Sequence, residues 1–163
     1  MPEPSKLNKR VSMLGKLPKP LREKAVSFLM GKVVPFVGTA SLKIEEMTEE
    51  RVVVTAPNRR GNRNHIGSVH AAAMVLAAET ASGFVVAMSV PEGGVPLIKS
   101  LKVDFVKRSQ GAIRAVATLT DEQRQKIKRE PKGEVLVETV ATDGSGGSPI
   151  RCEMLWAWVP KKR

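Results

Sequence analysis

The residues best suited to chemistry lie in one stretch, NRNHIGSVHAAAMVLAAET, which runs from residue 62 to residue 80. The stretch begins polar and then becomes a run of small apolar residues that contains a single acid, Glu79. A carboxylate in such a run must be paired, be protonated, or lie at the wall of a pocket, because an unpaired buried charge is costly. At a pocket wall the acid could take part in chemistry. A paired structural acid is the equally weighted alternative.

The residues just upstream could complete such a site. Asn64 precedes the apolar run, Gly67 permits a tight turn, and Ser68 is a suitable N-cap for a helix that begins there. Three backbone N–H groups at the start of this helix would have no partner within it: those of His70, Ala71 and Ala72. Such groups can bind a developing oxyanion. Ordinary turn and capping chemistry is the alternative for Asn64 and Ser68.

The element that carries the acid is predicted to be a buried helix over residues 69–83. The segment is rich in alanine, has no proline, and has no glycine before Gly83, all of which favours a helix. Its apolar residues point in nearly every direction, which is typical of a fully buried helix. The run AAAMVLAAETASGFVVAMSV has about the length of a membrane span, but Glu79 and other polar residues lie near its middle. We therefore predict no stable membrane insertion.

The remainder of the chain shows the alternation of apolar and polar residues that indicates strands. The alternating segments lie at about residues 40–44, 101–105, 113–119, 135–141 and 152–158. Glycine-rich turns such as PEGG and DGSGGSP separate some of them. The pattern predicts an α+β protein with an antiparallel sheet of five to six strands and one long central helix.

The N-terminal region differs from the rest in composition. Residues 1–19 are interpreted as a mobile basic arm, and residues 20–163 as a single domain. Residues 20–31 are predicted to form a helix that begins at Pro20 and ends with Gly31 as its C-cap. An apolar stripe would pack this helix on the domain: Leu21, Ala25, Phe28 and Leu29.

The charge of the chain limits its partners. The formal net charge is +11, and residues 1–32 contribute eight basic and two acidic residues to it, which favours anionic partners or a solvated basic surface. Two Trp, four Phe and no Tyr leave few rings for base stacking, and no recognition motif is present, so we expect no nucleic acid. We expect no metal site either. The lone Cys152 and the lack of a secretory signal favour the cytoplasm.

The motif N-x-x-G-x-x-H, followed nine residues after His70 by an acid, resembles the signature of hotdog-fold acyl-CoA thioesterases of the phenylacetyl-CoA type. The resemblance covers roughly residues 40–159 and includes LKVDFVKRSQGAIRAVATL. The Gly-Gly of that family is Ala71-Ala72 here, and NHIGSVHAAA…AE is most similar to a hotdog branch of unknown function. The resemblance implies a sheet wrapped around the central helix, and a homodimer or homotetramer.

The resemblance also implies roles for the motif residues. The substrate would be an acyl-CoA, hydrolysed to the free acid and CoA, with no cofactor beyond the CoA of the substrate. Asn64 would orient the thioester carbonyl or the attacking water, and the N–H of Ala71 would receive the oxyanion. Glu79 would be the general base or, as the less favoured role, a nucleophile. His70 would hold the turn at Gly67 rather than transfer protons. Basic residues near the motif could bind the phosphates of CoA: Arg59, Arg60, Arg63, Lys107 and Arg108.

Two other functions remain open at this stage. Hotdog dehydratases and hydratases of acyl thioesters use a His and an acid fourteen residues later, and His65 and Glu79 have that spacing. Those enzymes usually have prolines between the two residues, which this chain lacks, so the thioesterase is favoured. A non-catalytic sensor or carrier of acyl-CoA is the third function, and it is compatible with Ala71-Ala72.

Overall fold

A 19-residue helix, α4, lies at the centre of the protein and packs against five strands of one sheet. Most of its residues are buried, as expected for an alanine-rich helix without a polar face. The computed structural model describes residues 3–162. Within that range the helices are α1 (Lys6–Met13), α2 (Lys19–Val33), α3 (Pro35–Thr39), α4 (Ala71–Ser89) and α5 (Asp121–Arg129). The strands are β1 (Lys43–Met47), β2 (Arg51–Ala56), β3 (Gly94–Phe105), β4 (Ile113–Thr118), β5 (Gly133–Thr142) and β6 (Ile150–Pro160).

The six strands form one antiparallel sheet in the order β1-β2-β4-β5-β6-β3. Residues alternate between buried and exposed along β4, β5 and much of β6, so that one face of the sheet meets α4 and the other faces solvent. This is the predicted α+β hotdog architecture, which is therefore confirmed, with six strands as the upper of the two predicted counts.

The strand β2 was not among the predicted strands, and the first predicted strand was placed too early. Residues Val52, Val53 and Val54 of β2 are consecutive and fully buried, so the segment lacks the alternation on which the prediction depended. Ala40 belongs to the turn that follows α3, and β1 begins only at Lys43. A strand covered on both faces cannot be recognised by its periodicity.

The central helix is longer and begins later than predicted. It spans Ala71–Ser89 rather than 69–83, and Gly83 lies in its interior. A helix of this length and composition could cross a membrane, but 61% of its most apolar window is buried inside the domain. It is the core helix around which the sheet packs.

The N-terminal region is more ordered than predicted. The expected mobile arm of residues 1–19 contains α1 and a short 3₁₀ helix, and Val11 of α1 is 7% exposed, so the prediction of an arm was wrong for these residues. Met1 and Pro2 of that arm, and Arg163 at the end of the predicted domain, lie outside the described residues.

The helix α2 packs on the sheet, but only in part with the predicted stripe, of which Leu29 contacts the core. Leu21 and Phe28 are 56% and 70% exposed, whereas Val26 and Met30 are buried. The hydroxyl of Ser27 accepts a hydrogen bond of 2.8 Å from the N–H of Ile44, so α2 covers the edge strand β1. Gly31 is not the C-cap, because the helix continues to Val33. It allows α3 to approach α2, since a Cβ at this position would lie 3.1 Å from the Cα of Gly38.

Candidate active site

The loop that leads into α4 is held by a buried amide. The side chain of Asn62 is 4% exposed and donates hydrogen bonds to the carbonyl oxygens of Ala40 at 2.8 Å and Pro57 at 3.0 Å. The backbone oxygen of Asn62 accepts a hydrogen bond of 2.7 Å from the N–H of His70. Asn62 therefore fixes where α4 begins. Asn62 was not among the predicted site residues, because its partner Ala40 is 22 residues away and no local motif reveals the contact.

Asn64 organises the turn that follows. Its Oδ1 accepts hydrogen bonds of 3.1 Å from the N–H groups of both Ile66 and Ser68, and its backbone oxygen accepts one of 3.2 Å from the N–H of Gly67. Gly67 has a φ of +79°, a conformation that favours glycine. The Nδ2 group of Asn64 donates to none of residues 3–162, which leaves it available to a ligand.

Only one of the three predicted free N–H groups is unpaired. The N–H of His70 is used by Asn62, and the N–H of Ala72 donates to Nδ1 of His70 at 3.0 Å. His70, not Ser68, is thus the N-cap of α4, and the prediction for Ser68 was wrong. The N–H of Ala71 has no acceptor among the described residues, so it is the remaining donor at the positive end of the helix.

Glu79 lies on the least buried face of α4, near Val75 and Leu76, which are also partly exposed. Its carboxylate forms no hydrogen bond or salt bridge with any residue of the described part of the chain. Burial raises its pKa above the ordinary value of 4.5, and no neighbouring charge opposes this effect. Glu79 is therefore not a paired structural acid. A half-buried carboxylate without a partner is suited to accept a proton.

A buried tryptophan fixes α4 one turn beyond Glu79. The Nε1 group of Trp156 donates a hydrogen bond of 2.9 Å to the hydroxyl of Ser82, and the indole ring lies over Gly83, where a Cβ would come within 2.6 Å of it. The ring is 6% exposed. Because Gly83 and Glu79 lie one turn apart on the same face, this contact sets the position of the acid relative to the sheet.

The predicted phosphate-binding arginines before the motif are partly engaged within the chain. Arg59 donates from Nη2 to the carbonyl oxygen of Thr39 at 2.5 Å. Arg63 donates from Nε and Nη2 to the side-chain and backbone oxygens of Asn58 at 2.8 Å and 3.1 Å. Arg60 is exposed and makes no side-chain hydrogen bond to any residue within 3–162. Arg59 and Arg63 therefore shape the loop, and Arg60 is the one that remains fully available.

The basic residues after β3 have distinct surroundings. Arg108 reaches the turn before α4, where it donates to the hydroxyl of Ser68 at 3.2 Å and to the carbonyl oxygen of Ile66 at 2.9 Å. Lys107 turns the other way, with Nζ 3.7 Å from a carboxylate oxygen of Asp143 and 3.3 Å from the hydroxyl of Ser145. The structure thus brings Arg108, but not the ammonium of Lys107, to the loop that contains Asn64.

His65 is exposed and takes part in no side-chain hydrogen bond with the residues that the structure describes. A histidine that acts as an acid or base is usually oriented by a partner at its second nitrogen. Among residues 3–162, His65 has no such partner. Among residues 3–162, no group of three or more His, Cys, Asp or Glu side chains could hold a metal ion.

The chain belongs to the family described as Domain of unknown function (DUF4442). Residues 22–159 match this family, which fits an uncharacterised branch of the hotdog thioesterase superfamily. No curated protein matches the chain in sequence.

Solved structures share its fold. A protein of unknown function from Pseudomonas aeruginosa, named "Probable Thioesterase", is 26% identical, with a TM-score of 0.74 over 89% of this chain and 97% of that one. A thioesterase from Haemophilus influenzae is 14% identical, with a TM-score of 0.63 over 77% and 82% of the two chains. A protein of unknown function from Chlorobaculum tepidum is 15% identical, with a TM-score of 0.72 over 90% and 99%. At these two lower identities the likeness concerns the fold alone.

Proposed function

We propose that this protein hydrolyses the thioester of an acyl-CoA to the free acid and CoA, with Glu79 as the general base. The observation that carries the proposal is the half-buried carboxylate of Glu79, which has no partner among residues 3–162 and whose pKa is raised by burial. A base must be deprotonated to act, and its strength increases with its pKa. A raised pKa therefore suits proton abstraction near neutral pH.

The reaction follows from the groups at the start and in the middle of α4. The carboxylate of Glu79 takes a proton from a water molecule, whose oxygen adds to the thioester carbon and converts the carbonyl oxygen to an oxyanion. The N–H of Ala71 donates a hydrogen bond to this oxyanion, and the Nδ2 group of Asn64 orients the carbonyl or the water. When the intermediate collapses, the carbon–sulfur bond breaks and the CoA thiolate receives the proton held by Glu79.

A single chain cannot bring both ends of this site together. Ala71 and Glu79 are eight residues apart on one helix, which corresponds to about 12 Å along its axis. One thioester cannot contact both groups at that separation. In a two-fold dimer, however, the N-terminus of α4 from one subunit can face Glu79 of the other. We therefore propose a homodimer whose two sites each combine residues of both chains.

The surface of β3 supports this assembly. β3 is a 12-residue edge strand, so one row of its backbone groups has no neighbouring strand within residues 3–162. Its side chains on the α4 side are apolar yet open to solvent: Ile98, Leu101 and Phe105 are 37%, 44% and 54% exposed. Pairing of two β3 strands would continue the sheet across the dimer and bury these residues. A tetramer built from two such dimers is the alternative.

The CoA part of the substrate is anionic, and the basic residues near the motif offer it a matching surface. Arg60 and Arg108 have guanidinium N–H groups that no described residue accepts, and both lie in or beside the loop that leads into α4. An excess of positive charge also raises the rate at which an anionic substrate arrives. No cofactor other than the CoA of the substrate is required by this reaction.

The experiment that tests the proposal is a panel of acyl-CoA esters, from acetyl to palmitoyl, assayed for release of the CoA thiol. Thiol release from at least one ester is expected, and Asn64→Ala should lower kcat by roughly 10²–10³, the typical loss for one oxyanion-orienting group. His65→Ala should have little effect.

Two results would contradict the proposal. A hydratase would add water to a 2-enoyl-CoA without releasing thiol, and His65→Ala would abolish that activity. A carrier or sensor would release no thiol from any ester, although acyl-CoA would still raise its melting temperature.

A further inference from the structure

The outer side of α2 carries a row of alternating apolar and basic side chains. The row consists of Leu21, Lys24, Phe28 and Lys32. Their spacing of three and four residues places all four on one side of the helix. Leu21 and Phe28 are 56% and 70% exposed, and both lysines are exposed as well. The row therefore faces away from the buried side of α2.

More apolar side chains extend this surface past the end of α2. Val33, Val34 and Phe36 are 49%, 36% and 61% exposed. An open groove of about 670 Å³ adjoins Phe28 and is lined by residues of α2, α3 and the start of β1, including Lys43. The row on α2, these three residues and Lys43 are called the α2–α3 face below. Soluble monomers rarely leave so many large apolar side chains together in water, so the face indicates a binding surface.

The ammonium groups of the α2–α3 face have no anionic partner within the described chain. Lys24, Lys32 and Lys43 form no salt bridge and no side-chain hydrogen bond with any of residues 3–162. Nζ of Lys32 lies 5.5 Å from the centroid of the Phe28 ring, so positive charge lies directly beside an exposed apolar group. The chain has no acidic residue from position 24 to position 44.

The acids that flank this segment are engaged elsewhere. Glu23 lies on the other side of α2, where it lines a different cavity, and one of its oxygens is 3.9 Å from Nζ of Lys19. Glu45 accepts a hydrogen bond of 2.9 Å from Nε of Arg114. Neither acid lines the groove beside Phe28. The α2–α3 face thus presents unneutralised positive charge to a partner.

We infer that the α2–α3 face docks onto the surface of an anionic lipid bilayer. The apolar side chains enter the boundary between headgroups and acyl chains, and the lysines remain at the level of the phosphates. A lysine is a compact, hydrated point charge, which suits a diffuse layer of anionic headgroups and not a shaped carboxylate site. This attachment leaves α4 in the core of the domain, so it differs from a membrane span. It is independent of the proposed function.

A second copy of this chain fits the α2–α3 face less well than a bilayer does. A two-fold contact places the same residues of both copies opposite each other, so the three lysines of one copy would face those of the other. Like charges without an acid between them oppose such a contact. The proposed dimer also uses β3, whereas α2 covers β1 at the opposite edge of the sheet. The face therefore stays free in that dimer.

The test measures sedimentation of the full chain with vesicles of phosphatidylcholine, either alone or with roughly one-third phosphatidylserine. The wild type should sediment with the anionic vesicles at low salt and not with the neutral ones. Replacing Lys24, Lys32 and Lys43 together with Gln should weaken this binding roughly 100-fold, which is about fivefold for each lysine. Phe28→Ser should weaken it about 10-fold, the lower end of the effect of burying a phenyl ring. Phe28→Leu should retain most of the binding.

Matched controls remove charge and apolar area from other surfaces. Replacing Lys132, Lys161 and Lys162 with Gln lowers the net charge by the same amount at exposed positions outside the face. Leu136→Ser removes an apolar side chain, 54% exposed, from the solvent face of β5. Both control proteins should retain most of the binding to anionic vesicles.

Several results would overturn the inference. One is a wild type that does not sediment with anionic vesicles. Another is an equal loss of binding in the two triple-lysine variants, because the attraction would then depend on net charge and not on this face. If vesicle binding is absent and Phe28→Ser lowers the mass in light scattering, the face is a contact between copies. If the mass is unchanged, an acidic protein is the occupant instead. Circular dichroism checks that each variant is folded, and Lys24→Gln and Lys32→Gln replace the triple variant if it is not.

Discussion

Gly83→Ala tests whether the tryptophan over α4 is as fixed as the structure indicates. Gly83 lies in the interior of α4, where alanine would ordinarily stabilise a helix by about 1 kcal/mol relative to glycine. The added Cβ, however, would lie 2.6 Å and 2.7 Å from two carbons of the Trp156 ring. Real Cβ atoms essentially never approach other atoms so closely, so the ring or the helix must move.

The cost of that movement can be estimated from the contacts of the ring. Trp156 is buried, and its Nε1 is held by Ser82, so the ring cannot turn away without losing a hydrogen bond. Extra volume in a well-packed core costs about 1–3 kcal/mol, and the upper half of that range applies to a ring held at one end. After the gain in helix propensity is subtracted, Gly83→Ala should destabilise the protein by about 1–2 kcal/mol. The melting temperature should fall by roughly 2–8 °C.

The assay is urea denaturation of the wild type and of Gly83→Ala, with circular dichroism as the measure of unfolding. Gly15→Ala is the matched control: a Cβ there would meet no atom within 4 Å, so stability should be unchanged or slightly higher. Trp156→Phe should make the effect of Gly83→Ala smaller in a double-mutant cycle, because the phenyl ring is shorter. If Gly83→Ala proves more stable than the wild type, the ring moves freely and the position of Glu79 is not set by it.

Three further predictions concern charge and assembly. Glu79→Gln should raise the free energy of unfolding at pH 7. Burial raises the pKa of Glu79, so folding favours the protonated carboxyl group. The stability that the protonated group contributes is fully present below pH 4.5 and is lost as the pH rises through the raised pKa. The stability gained by Glu79→Gln should therefore disappear when unfolding is measured below pH 4.5. The hydrogen bond from Ser145, above all, lowers the pKa of Asp143 from 3.8 to about 2. Asp143→Asn should therefore lower the free energy of unfolding at pH 7 by about 2 kcal/mol. In the wild type, this contribution of the Asp143 carboxylate should be lost as the pH falls from about 4 to about 2. Leu101→Glu should convert the proposed dimer to a monomer in light scattering at micromolar concentration, and a wild-type monomer under those conditions would contradict this assembly.

The sequence predicted the central helix and most of the sheet because their residues follow simple periodicities. α4 is apolar in all directions, and β4 and β5 alternate between apolar and polar residues. The prediction failed where tertiary contacts decide. β2 is buried on both faces and does not alternate, and α2 buries Val26 and Met30 because α3 and the sheet lie on that side of it.

The residues proposed for the candidate site come from the sequence, but the hydrogen bonds that hold them could not be predicted from it. The sequence identified Glu79, Asn64 and Ala71, yet it placed the N-cap at Ser68 and left three N–H groups free. Asn62 takes up one of these groups from eight residues away, which no local motif reveals. Local spacing locates a helix start only approximately, since its capping depends on which side chains the rest of the fold brings near.

The contacts of Arg108 also depend on the fold. The hydrogen bond between Arg108 and Ser68 joins residues 40 positions apart in the chain. The sequence indicated only that a basic residue follows a strand. The fold brings this residue to the turn before α4, where it meets Ser68 and Ile66.

The central claim is that Glu79 is the base of a thioester hydrolase, and one measurement tests it most directly. The release of CoA thiol from the best acyl-CoA substrate is compared for the wild type and Glu79→Gln, which keeps the size of the side chain and removes its ability to accept the proton. The account predicts that Glu79→Gln slows hydrolysis by roughly 10²–10⁴-fold while acyl-CoA binding is largely retained. Hydrolysis by Glu79→Gln at the wild-type rate would contradict it.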